Sequence, residues 1–486
     1  MKEVFTRVVG KCSMNKRCGT SPVVRGVWLL TAALSLHGEI DWKKVDAETF
    51  EHFTKLVRID TSNPPGNETA AAKYLQGVFE KEGIACKLVG GDPNRLSLIA
   101  RLKGSGAKKP VLMLGHTDVV GVQRERWSQD PFGAKLIEGY IWGRGTLDDK
   151  PLVAGGLMTM LLLKRSGAAL DRDVIFVAEA GEEGGGGRAP GATHGIAYII
   201  EHNWPDIDAE YALTEGGGFD SEGGKVLYQK VQLAEKVRKG IILVSHGTAG
   251  HGSMPREDNA IVHLSMAVAK VAEWQPPMLL NDVTRTYFER LSLVSPAADA
   301  ARYKALFDAS KTAVVQGYFR KNDIESNSEL RTTVSPAIIQ GGFRSNVIPS
   351  EATATLDVRA VPGENMEKFK AEMIRIINDP EVQVENGVQE PSSPASTMDT
   401  EMFRVLESVS KQIYPGTVTL PWMSTGGSDM LNLRIKGMQS YGIGAEIPKE
   451  DLVTHAVHSD NERIKEDALY KFIRYEFEAV AKMAWK

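Results

Sequence analysis

The chain has 486 residues, and its 42% hydrophobic and 25% charged residues are typical of a folded globular protein, which excludes a mainly disordered chain. Lysine and arginine number 58 against 62 aspartate and glutamate residues, a net charge of −4, so the composition gives no reason to expect a nucleic-acid partner. At roughly 150 residues per domain, the length predicts two or three domains.

The N-terminal segment is typical of an export signal. Basic residues precede an apolar run from Val27 to Leu36, which is too short to cross a bilayer. We therefore expect residues 1–38 to be a signal peptide and the protein to be exported, to a periplasm or outside the cell. A start at Met14 would give the signal a more usual length, whereas an uncleaved tail would leave the protein in the cytoplasm. No other segment is apolar for the ~18 residues that a membrane helix needs, so we expect no membrane span.

From about residue 45, predicted helices alternate with short strands. The hydrophobic pattern predicts helices at 69–82 and 150–165 and strands at 111–115, 174–179 and 209–214. The first of these strands is apolar throughout, as expected of a strand buried on both faces. This alternation predicts an α/β fold, with helices on both faces of a mixed, largely parallel sheet.

The pattern changes near residue 223. The elements then predicted are a strand at 241–246, a helix at 260–274, a polar stretch at 292–328, an alternating strand at 352–359, and helices at 398–413 and 466–486. We expect residues 228–354 to form a smaller α+β domain, inserted between two parts of the main domain, residues 39–227 and 355–486. In this interpretation the strand at 352–359 resumes the main sheet.

Acidic or imidazole side chains directly follow several of the predicted strands. They are His116 and Asp118 after 111–115, Asp148 and Asp149 after 141–144, Glu182 and Glu183 after 174–179, and Glu215 after 209–214. Because open α/β sheets bind ligands at the carboxyl ends of their strands, we expect these side chains to meet. Histidine with Asp and Glu, without Cys, suits a divalent ion such as Zn²⁺, Mn²⁺ or Co²⁺. Of two adjacent glutamates, one can hold a metal while the other takes a proton from water.

Four motifs, in this order, resemble the signature of the M20 metallopeptidase family, which includes glutamate carboxypeptidase, aminoacylase, succinyl-diaminopimelate desuccinylase and carboxypeptidase S. They are GHTDVV at 115–120, WGRGTLDDK at 142–150, EEG at 182–184 and HSDNE at 458–462. The resemblance covers about residues 45–486. It implies a metal-dependent exopeptidase-type catalytic domain, an inserted lid or dimerisation domain, and a homodimer.

The resemblance also implies two divalent metal ions, usually zinc, with cobalt or manganese as alternatives. By position, the ligands would be Asp148 as the bridge, His116 and Glu215 at one metal, and Glu183 and His458 at the other. Asp118 would orient His116, Glu182 would be the general base, and the Asp148–Asp149 peptide bond would be cis. His455 competes with His458 as the last ligand, but His458 matches the motif.

Further residues match the family's substrate-binding positions. His251 would stabilise the oxyanion, often across a dimer, and Asn346 would donate a hydrogen bond to substrate. Arg359 would clamp a carboxylate, which the backbone N–H groups of Gly426 and Gly427 could also bind. From the residues alone, His251 could equally be a turn cap and Arg359 half of an ordinary salt bridge.

The predicted function is a di-metal hydrolase that cleaves an amide bond adjacent to a free carboxylate. The export signal and the likeness to carboxypeptidase S favour an exported carboxypeptidase or dipeptidase acting on small peptides. An N-acyl amino acid deacylase remains the alternative, because it would use the same ligands. A non-catalytic, peptidase-like binding module is the remote alternative, and it predicts missing ligands. The Walker and Gly-x-Gly-x-x-Gly motifs are absent, which excludes an NTPase or a dehydrogenase.

Overall fold

The computed structural model describes residues 40–184, 186–452 and 454–486. The predicted signal peptide, residues 1–38, lies outside these residues. Within them, we find no helix with the length and apolar character needed to span a bilayer.

The helices of the described residues include the five that the sequence predicted. They are Trp42–Arg58, Glu68–Lys81, Lys150–Ser166, Gly195–Ile207, Ala260–Glu273, Asp282–Val294, Ala297–Ala305, Thr312–Asn322, Ile324–Glu329, Met366–Ile377, Glu401–Ile413, Met430–Ile435 and Glu466–Ala484. Lys150–Ser166 is buried almost all round, because it packs between the main sheet and Glu466–Ala484. It ends at Gly167, whose φ of 63° is the left-handed conformation that suits glycine at a helix C-terminus.

The described chain is built around two main sheets, which divide it into a larger and a smaller part. A ten-stranded mixed sheet forms the core of the larger part. Its order is Ala85–Val89, Ser97–Leu102, Val174–Glu179, Val111–His116, Tyr211–Thr214, Gln439–Gly442, Lys225–Glu235, Gly217–Glu222 and Glu446–Pro448, with Thr419–Ser424 also paired to Lys225–Glu235. At the centre of the sheet, Val111–His116 pairs in parallel with Val174–Glu179 on one side and with Tyr211–Thr214 on the other. Every residue of Val111–His116 and Val174–Glu179 is buried. Continuous apolar runs at the centre of a sheet covered on both faces confirm the predicted α/β class.

A four-stranded antiparallel sheet forms the smaller part. Its order is Thr333–Gly341, Glu351–Ala360, Val237–His246 and Val382–Gln389. Helices Ala260–Glu273 and Met366–Ile377 pack on one face, with Leu243, Leu264 and Phe369 among the buried contacts.

The sheet membership of two strands corrects the sequence interpretation. Glu351–Ala360 does not resume the main sheet, because it pairs with Val237–His246 and Thr333–Gly341 in the smaller one. Its alternation of buried and half-exposed residues fits a sheet covered on one face. Conversely, Lys225–Glu235 lies in the main sheet, although it was expected to open the insertion. The chain therefore crosses to the smaller sheet after Glu235, rather than at residue 228.

The predicted polar stretch at 292–328 is mostly helical. Its helices pack on the main sheet beside strand Thr419–Ser424, through a cluster that includes Phe288, Leu291, Phe319 and Leu420. Exposed polar residues such as Lys304, Lys321 and Glu325 contribute to the polar character of this stretch.

Candidate active site

Three neighbouring parallel strands of the main sheet end at the same edge, and the candidate side chains lie at this edge. His116 ends strand Val111–His116, the Glu182–Glu183 pair follows Val174–Glu179, and Glu215 follows Tyr211–Thr214. The predicted meeting of these side chains is confirmed by their contacts. Asp148 arrives differently, because strand Tyr140–Trp142 belongs to a separate three-stranded sheet with Lys135–Ile137 and Arg463–Lys465.

The buried carboxylate of Glu462 holds the turn that carries Asp148. Its Oε1 atom accepts hydrogen bonds from the backbone N–H of Leu147 at 2.7 Å and of Asp148 at 3.3 Å. Its Oε2 atom accepts from Gly145 N–H at 3.2 Å and pairs with Arg144. The peptide bond between Asp148 and Asp149 is cis. Glu462, in the motif at 458–462, therefore holds in place the motif at 142–150, which carries Asp148.

Asp148 lies between two histidines. Its Oδ1 atom is 2.9 Å from Nε2 of His116, and its Oδ2 atom is 3.1 Å from Nε2 of His458. Glu215 Oε2 lies 3.4 Å from Nε2 of His116, and Glu183 Oε2 lies 3.0 Å from Nε2 of His458. All five residues proposed as metal ligands from the sequence therefore form one cluster, with a histidine and a glutamate on each side of the aspartate.

Asp118 organises the surroundings of His116 and of the glutamate pair. Its backbone oxygen lies 3.0 Å from Nδ1 of His116, which leaves Nε2 to face Asp148. Its carboxylate accepts hydrogen bonds from the backbone N–H groups of Gly181, Glu182 and Glu183 at 2.9 to 3.1 Å. Burial raises the pKa of Asp118, but the neighbouring His116 and these hydrogen bonds outweigh burial and hold it at about 2. The residue is thus an ionised anchor for the turn.

The charges of the cluster fit divalent cations. Burial, opposed by His116 and reinforced by Asp148, raises the pKa of Glu215 to about 7. Hydrogen bonds to Asp148 and Glu183 raise the pKa of His458 to about 10. Carboxylates crowded in a buried site around imidazoles bind positive charge strongly, and these nitrogen and oxygen donors are those that zinc accepts. Two sets of residues each place their donor atoms within 4.8 Å of one another. One set is His116, Asp148 and Glu183, and the other is His116, Asp149 and Glu215.

Glu182 is a buried carboxylate beside the cluster. Its side chain is 10% exposed, and its Oε1 atom lies 3.3 Å from Nη1 of Arg188. Burial, together with the negative charges of Glu215 and Asp429, raises its pKa well above the ordinary value. A carboxylate held beside the cluster is placed to act as a general acid and base.

His251 and Asn346 lie together, on adjoining turns of the smaller part. The short strand Gly250–His251 pairs with Val347–Ile348, and Gly252 N–H donates to the backbone oxygen of Asn346 at 2.8 Å. The Nδ1 atom of His251 is 2.8 Å from Ser253 Oγ. Within the described residues, no hydrogen bond or ion pair joins His251 or Asn346 to the carboxylate cluster of the same chain.

The remaining predicted substrate-binding residues divide into two groups. The guanidinium of Arg359 pairs with Asp357, two residues earlier on the same face of its strand, at 3.0 and 3.3 Å. Gly427 lines the same open cavity of about 250 Å³ as Asp148 and Glu215. Gly426 precedes it and donates its N–H to Ser424 Oγ at 3.1 Å. The loop at Gly426–Gly427 therefore borders the same cavity as the cluster, whereas the Arg359 side chain is paired with Asp357.

The same cavity has an apolar wall, which includes Leu152, Trp422, Ile443, Ile447, Val457 and Phe472. Sequence reasoning missed this wall, because its residues come from separate segments with no shared motif. It also missed the bracing role of Glu462 and the position of Arg188. For Arg188 the one available signal was a lone basic residue directly after the acidic motif and its glycine run.

Comparison with known proteins agrees with this architecture. The sequence profile described as Peptidase family M20/M25/M40 matches residues 112–482. The chain is 29% identical to the probable carboxypeptidase S-like 2 of Dictyostelium discoideum, over 68% of this chain and 64% of that protein. It is 25% identical to the N-fatty-acyl-amino acid synthase/hydrolase PM20D1 of Xenopus tropicalis, over 89% of this chain and 85% of that one.

A similar fold occurs in a solved structure, the M20 family metallo-carboxypeptidase Sso-CP2 from Sulfolobus solfataricus. The TM-score is 0.63 at 21% identity, covering 89% of this chain and 98% of that one. Because the family profile spans most of the chain, the relationship does not depend on the motifs alone. The protein belongs to peptidase family M20/M25/M40, a family of hydrolases acting on amide bonds.

Proposed function

We propose that this protein is a di-metal hydrolase that cleaves an amide bond adjacent to a free carboxylate, as an exported carboxypeptidase or dipeptidase. The observation that carries the proposal is the placement of Asp148 between His116 and His458, with one carboxylate oxygen directed to each. A carboxylate in this position suits the bridging of two cations.

The residues of the cluster would hold the two ions, zinc being the best match to their nitrogen and oxygen donors. His116 and Glu215 would bind one ion, Glu183 and His458 the other, and Asp148 both. When bound, such ions supply Lewis acidity toward the substrate carbonyl and lower the pKa of a water molecule.

Within this site, Glu182 accepts the proton of the attacking water and returns it to the leaving nitrogen. Burial raises the pKa of Glu182, which favours its holding the proton between the two transfers. The N–H···carboxylate bonds from residues 181–183 to Asp118 keep Glu182 beside the cluster. The glycine loop at Gly427 offers backbone N–H groups to an anionic end of the substrate.

A homodimer would complete this site. Strand Thr333–Gly341 is an edge of the smaller sheet, and Ile338 and Ile339 on it are 53% and 59% exposed. Met266, on the neighbouring helix Ala260–Glu273, is 56% exposed. An uncovered edge strand beside apolar side chains is suited to pairing with a second copy. Such pairing is our explanation for the position of His251, which, in the part of the chain that the structure describes, makes no hydrogen bond or ion pair with the cluster.

A deacylase is the second candidate, and the apolar wall of the cavity favours it. An N-acyl amino acid also carries an amide next to a free carboxylate, and its acyl chain would lie against Leu152, Ile443 and Phe472. The relative that aligns over 89% of this chain is named for hydrolysis of such compounds.

A pooled hydrolysis assay tests the proposal. The purified protein, loaded with Zn²⁺ or Mn²⁺, is mixed with dipeptides and N-acyl amino acids, and the products are identified by mass spectrometry. Chelator-treated protein and the E182Q variant are the controls. Chelator-sensitive cleavage of dipeptides supports the peptidase, and cleavage of N-acyl amino acids alone supports the deacylase. Metal-loaded protein that cleaves neither class would favour a binding module and contradict the proposal.

A further inference from the structure

We infer that Gln232 selects the substrate group that enters the cavity beside the carboxylate cluster, and that it favours a group with a hydrogen-bonding amide or hydroxyl over an aliphatic group of the same shape. The inference rests on the proposed function, because that function supplies the substrate. It assigns a specific polar contact to a cavity whose wall is otherwise largely apolar.

Gln232 lies on strand Lys225–Glu235 and lines the same cavity as Glu215. Its partners in the sheet are Trp422 on one side and Gly442 on the other. Because paired residues of adjacent strands point to the same face of a sheet, Gln232 and the cavity-lining Trp422 share a face. A side chain at Gly442 would begin 2.8 Å from Cβ of Gln232, so glycine at this position leaves room for the glutamine.

The amide of Gln232 lies directly beside the backbone that follows Glu215. The point where a side chain at Gly216 would begin is 2.2 Å from Oε1 of Gln232, closer than two non-bonded atoms can approach. Gly216 has a φ of 108°, which also favours glycine. This glycine therefore allows the amide to reach a position next to a proposed metal ligand, where the side groups of a bound substrate would pass.

The side-chain amide of Gln232 has no hydrogen-bond partner within the described residues, although the residue is only 2% exposed. Buried amides are rarely left unpaired, because a missing hydrogen bond costs free energy. The terminal torsion of glutamine is broad, so either its N–H₂ group or its carbonyl oxygen can be turned toward the cavity. The residue can thus donate a hydrogen bond to an entering group or accept one from it.

The other polar side chains of the cavity wall, outside the carboxylate cluster, are already hydrogen-bonded. Their partners are Glu329 for Trp422 Nε1 at 2.6 Å, Glu235 for Ser428 Oγ at 2.9 Å, and the backbone N–H of Gly426 for Ser424 Oγ at 3.1 Å. Among the described wall residues outside the cluster, Gln232 is therefore the one whose polar side chain is left for a ligand.

A second buried glutamine on the same strand shows the usual arrangement. Gln229 donates from Nε2 to the hydroxyl of Tyr475 at 2.5 Å, and its Oε1 accepts from Oγ1 of Thr419 at 3.0 Å. Gln229 does not line the cavity. The strand thus satisfies a glutamine amide away from the cavity and leaves one unsatisfied where a ligand would bind.

An unpaired amide in an apolar wall discriminates by hydrogen bonding. An aliphatic group would fill the cavity and leave the amide of Gln232 unpaired, whereas an amide or hydroxyl group of the same shape would pair with it. A site built to hydrogen-bond a substrate group rejects the analogue without that group far more strongly than an apolar pocket rejects a missing methylene. We therefore expect an asparagine side chain to be preferred over a leucine side chain, which has a similar shape.

Four uncleavable probes test the inference by binding rather than by activity. They are phosphinic dipeptide analogues in two pairs, which carry an asparagine or a leucine side chain either before or after the phosphinic group, with an alanine side chain at the other position. Dissociation constants are measured by calorimetry on zinc-loaded wild type, Q232M and, as a matched control, Q229M. Methionine is unbranched like glutamine but lacks the amide. The Tm and the zinc content of each ligand-free protein are also measured.

The effect should occur in the pair whose varied side chain enters the cavity. For this pair, the Kd of the leucine probe divided by that of the asparagine probe should be at least about tenfold smaller in Q232M than in wild type. Q232M should have at least the Tm of wild type, because it removes a buried amide that has no partner within the described residues. Q229M should keep the ratio and lower the Tm, because it breaks two hydrogen bonds.

The inference would be overturned by unchanged ratios for both pairs in Q232M, by equal weakening of all four probes in Q232M, or by wild type that binds none of them. A Tm of Q232M as low as that of Q229M would also overturn it, because the amide would then be bonded already in the ligand-free protein.

Hydrolysis of dipeptides and N-acyl amino acids by the same wild-type preparation separates this inference from the proposed function. Chelator-sensitive cleavage with ratios that do not depend on Gln232 would contradict the inference alone. A ratio that depends on Gln232, without cleavage of either class, would contradict the proposed function alone.

Discussion

The Nε2 atom of His458 lies 3.1 Å from Oδ2 of Asp148, although 310 positions (458 − 148) separate the two residues in the sequence. The backbone of His458 has a φ of 64°, a left-handed conformation that is uncommon for residues other than glycine. The backbone at His458 thus adopts a costly conformation that directs this imidazole toward the cluster.

Replacing His458 by alanine should remove one of two metal equivalents, because it deletes the only imidazole that we assign to one ion. His455 provides the matched control, since its Nδ1 is 2.9 Å from the backbone oxygen of Asn461 and its ring packs edge-on against Trp142. H455A should keep both equivalents. Bound zinc per chain, measured by mass spectrometry after dialysis, distinguishes the two, and loss of zinc in H455A but not in H458A would reverse the assignment.

The E182Q variant should retain its fold and both metal ions, while kcat falls by at least about 10²-fold. The amide is similar in size to the carboxylate but cannot accept the proton, and general-base catalysis contributes 10²–10⁴-fold. Steady-state kinetics with measured metal content checks this prediction. A variant with nearly full activity would remove Glu182 as the base.

Mixing two inactive variants tests whether His251 acts across a dimer. H251A should lower kcat with little effect on metal content. If the histidine serves the partner's site, hybrids with E182Q contain one intact site, and random exchange should restore about a quarter of wild-type activity. Co-refolding the two variants supplies the hybrids, and each variant treated alone is the control. Absence of any recovery in proven hybrid dimers would show that each site is built from one chain.

The buried Glu476 should make stability depend on pH. It lies on helix Glu466–Ala484 against Gly155, and neither carboxylate oxygen has a hydrogen-bond partner within the described residues. Burial raises its pKa well above the ordinary value, so the folded state binds a proton that the unfolded state releases above about pH 4.5. Stability is therefore lost as the pH rises from there toward the folded-state pKa.

E476Q should accordingly raise Tm by at least about 2 °C at pH 8 and change it little at pH 4. E478Q, at a partly exposed position of the same helix, should have little effect at either pH. Thermal unfolding at the two pH values provides the measurement. An equal Tm for E476Q and wild type at pH 8 would show that the carboxylate is not neutral by burial alone.

The export proposal has its own test, the N-terminal sequence of the protein recovered from the producing cell. Cleavage near residue 38 should give a mature chain that starts close to Gly38 or Glu39. A chain that begins at Met1 or Met14 would contradict export by this signal.

His116, the Glu182–Glu183 pair and Glu215 could be placed together from the sequence, because each ends or follows an apolar strand and parallel strands end at the same edge. Asp148 and His458 come from outside that sheet and were identified by their motifs. The motif around His116 and the Glu182–Glu183 pair then selected one family. The sheet to which Glu351–Ala360 belongs could not be predicted, because strand pairing is chosen by distant residues such as those of Val237–His246. Alternation identified the strand but not its partner.

The side chains around the cluster were equally hard to predict. Arg188 has no periodic pattern, and its position 3.3 Å from Glu182 depends on the turn Gly186–Arg188. Arg359 has the correct motif, but the sequence does not show that its Nε–H and one Nη2–H donate to Asp357 on the same face of the strand.

The central claim is that catalysis requires two metal ions held through Asp148. Metal-free protein titrated with Zn²⁺, with bound zinc and dipeptide or N-acyl amino acid hydrolysis measured together, tests this claim most directly. The account predicts that activity reaches its plateau at two equivalents per chain, and that D148N binds less zinc and stays inactive. Full activity at one equivalent, or activity in D148N, would contradict it.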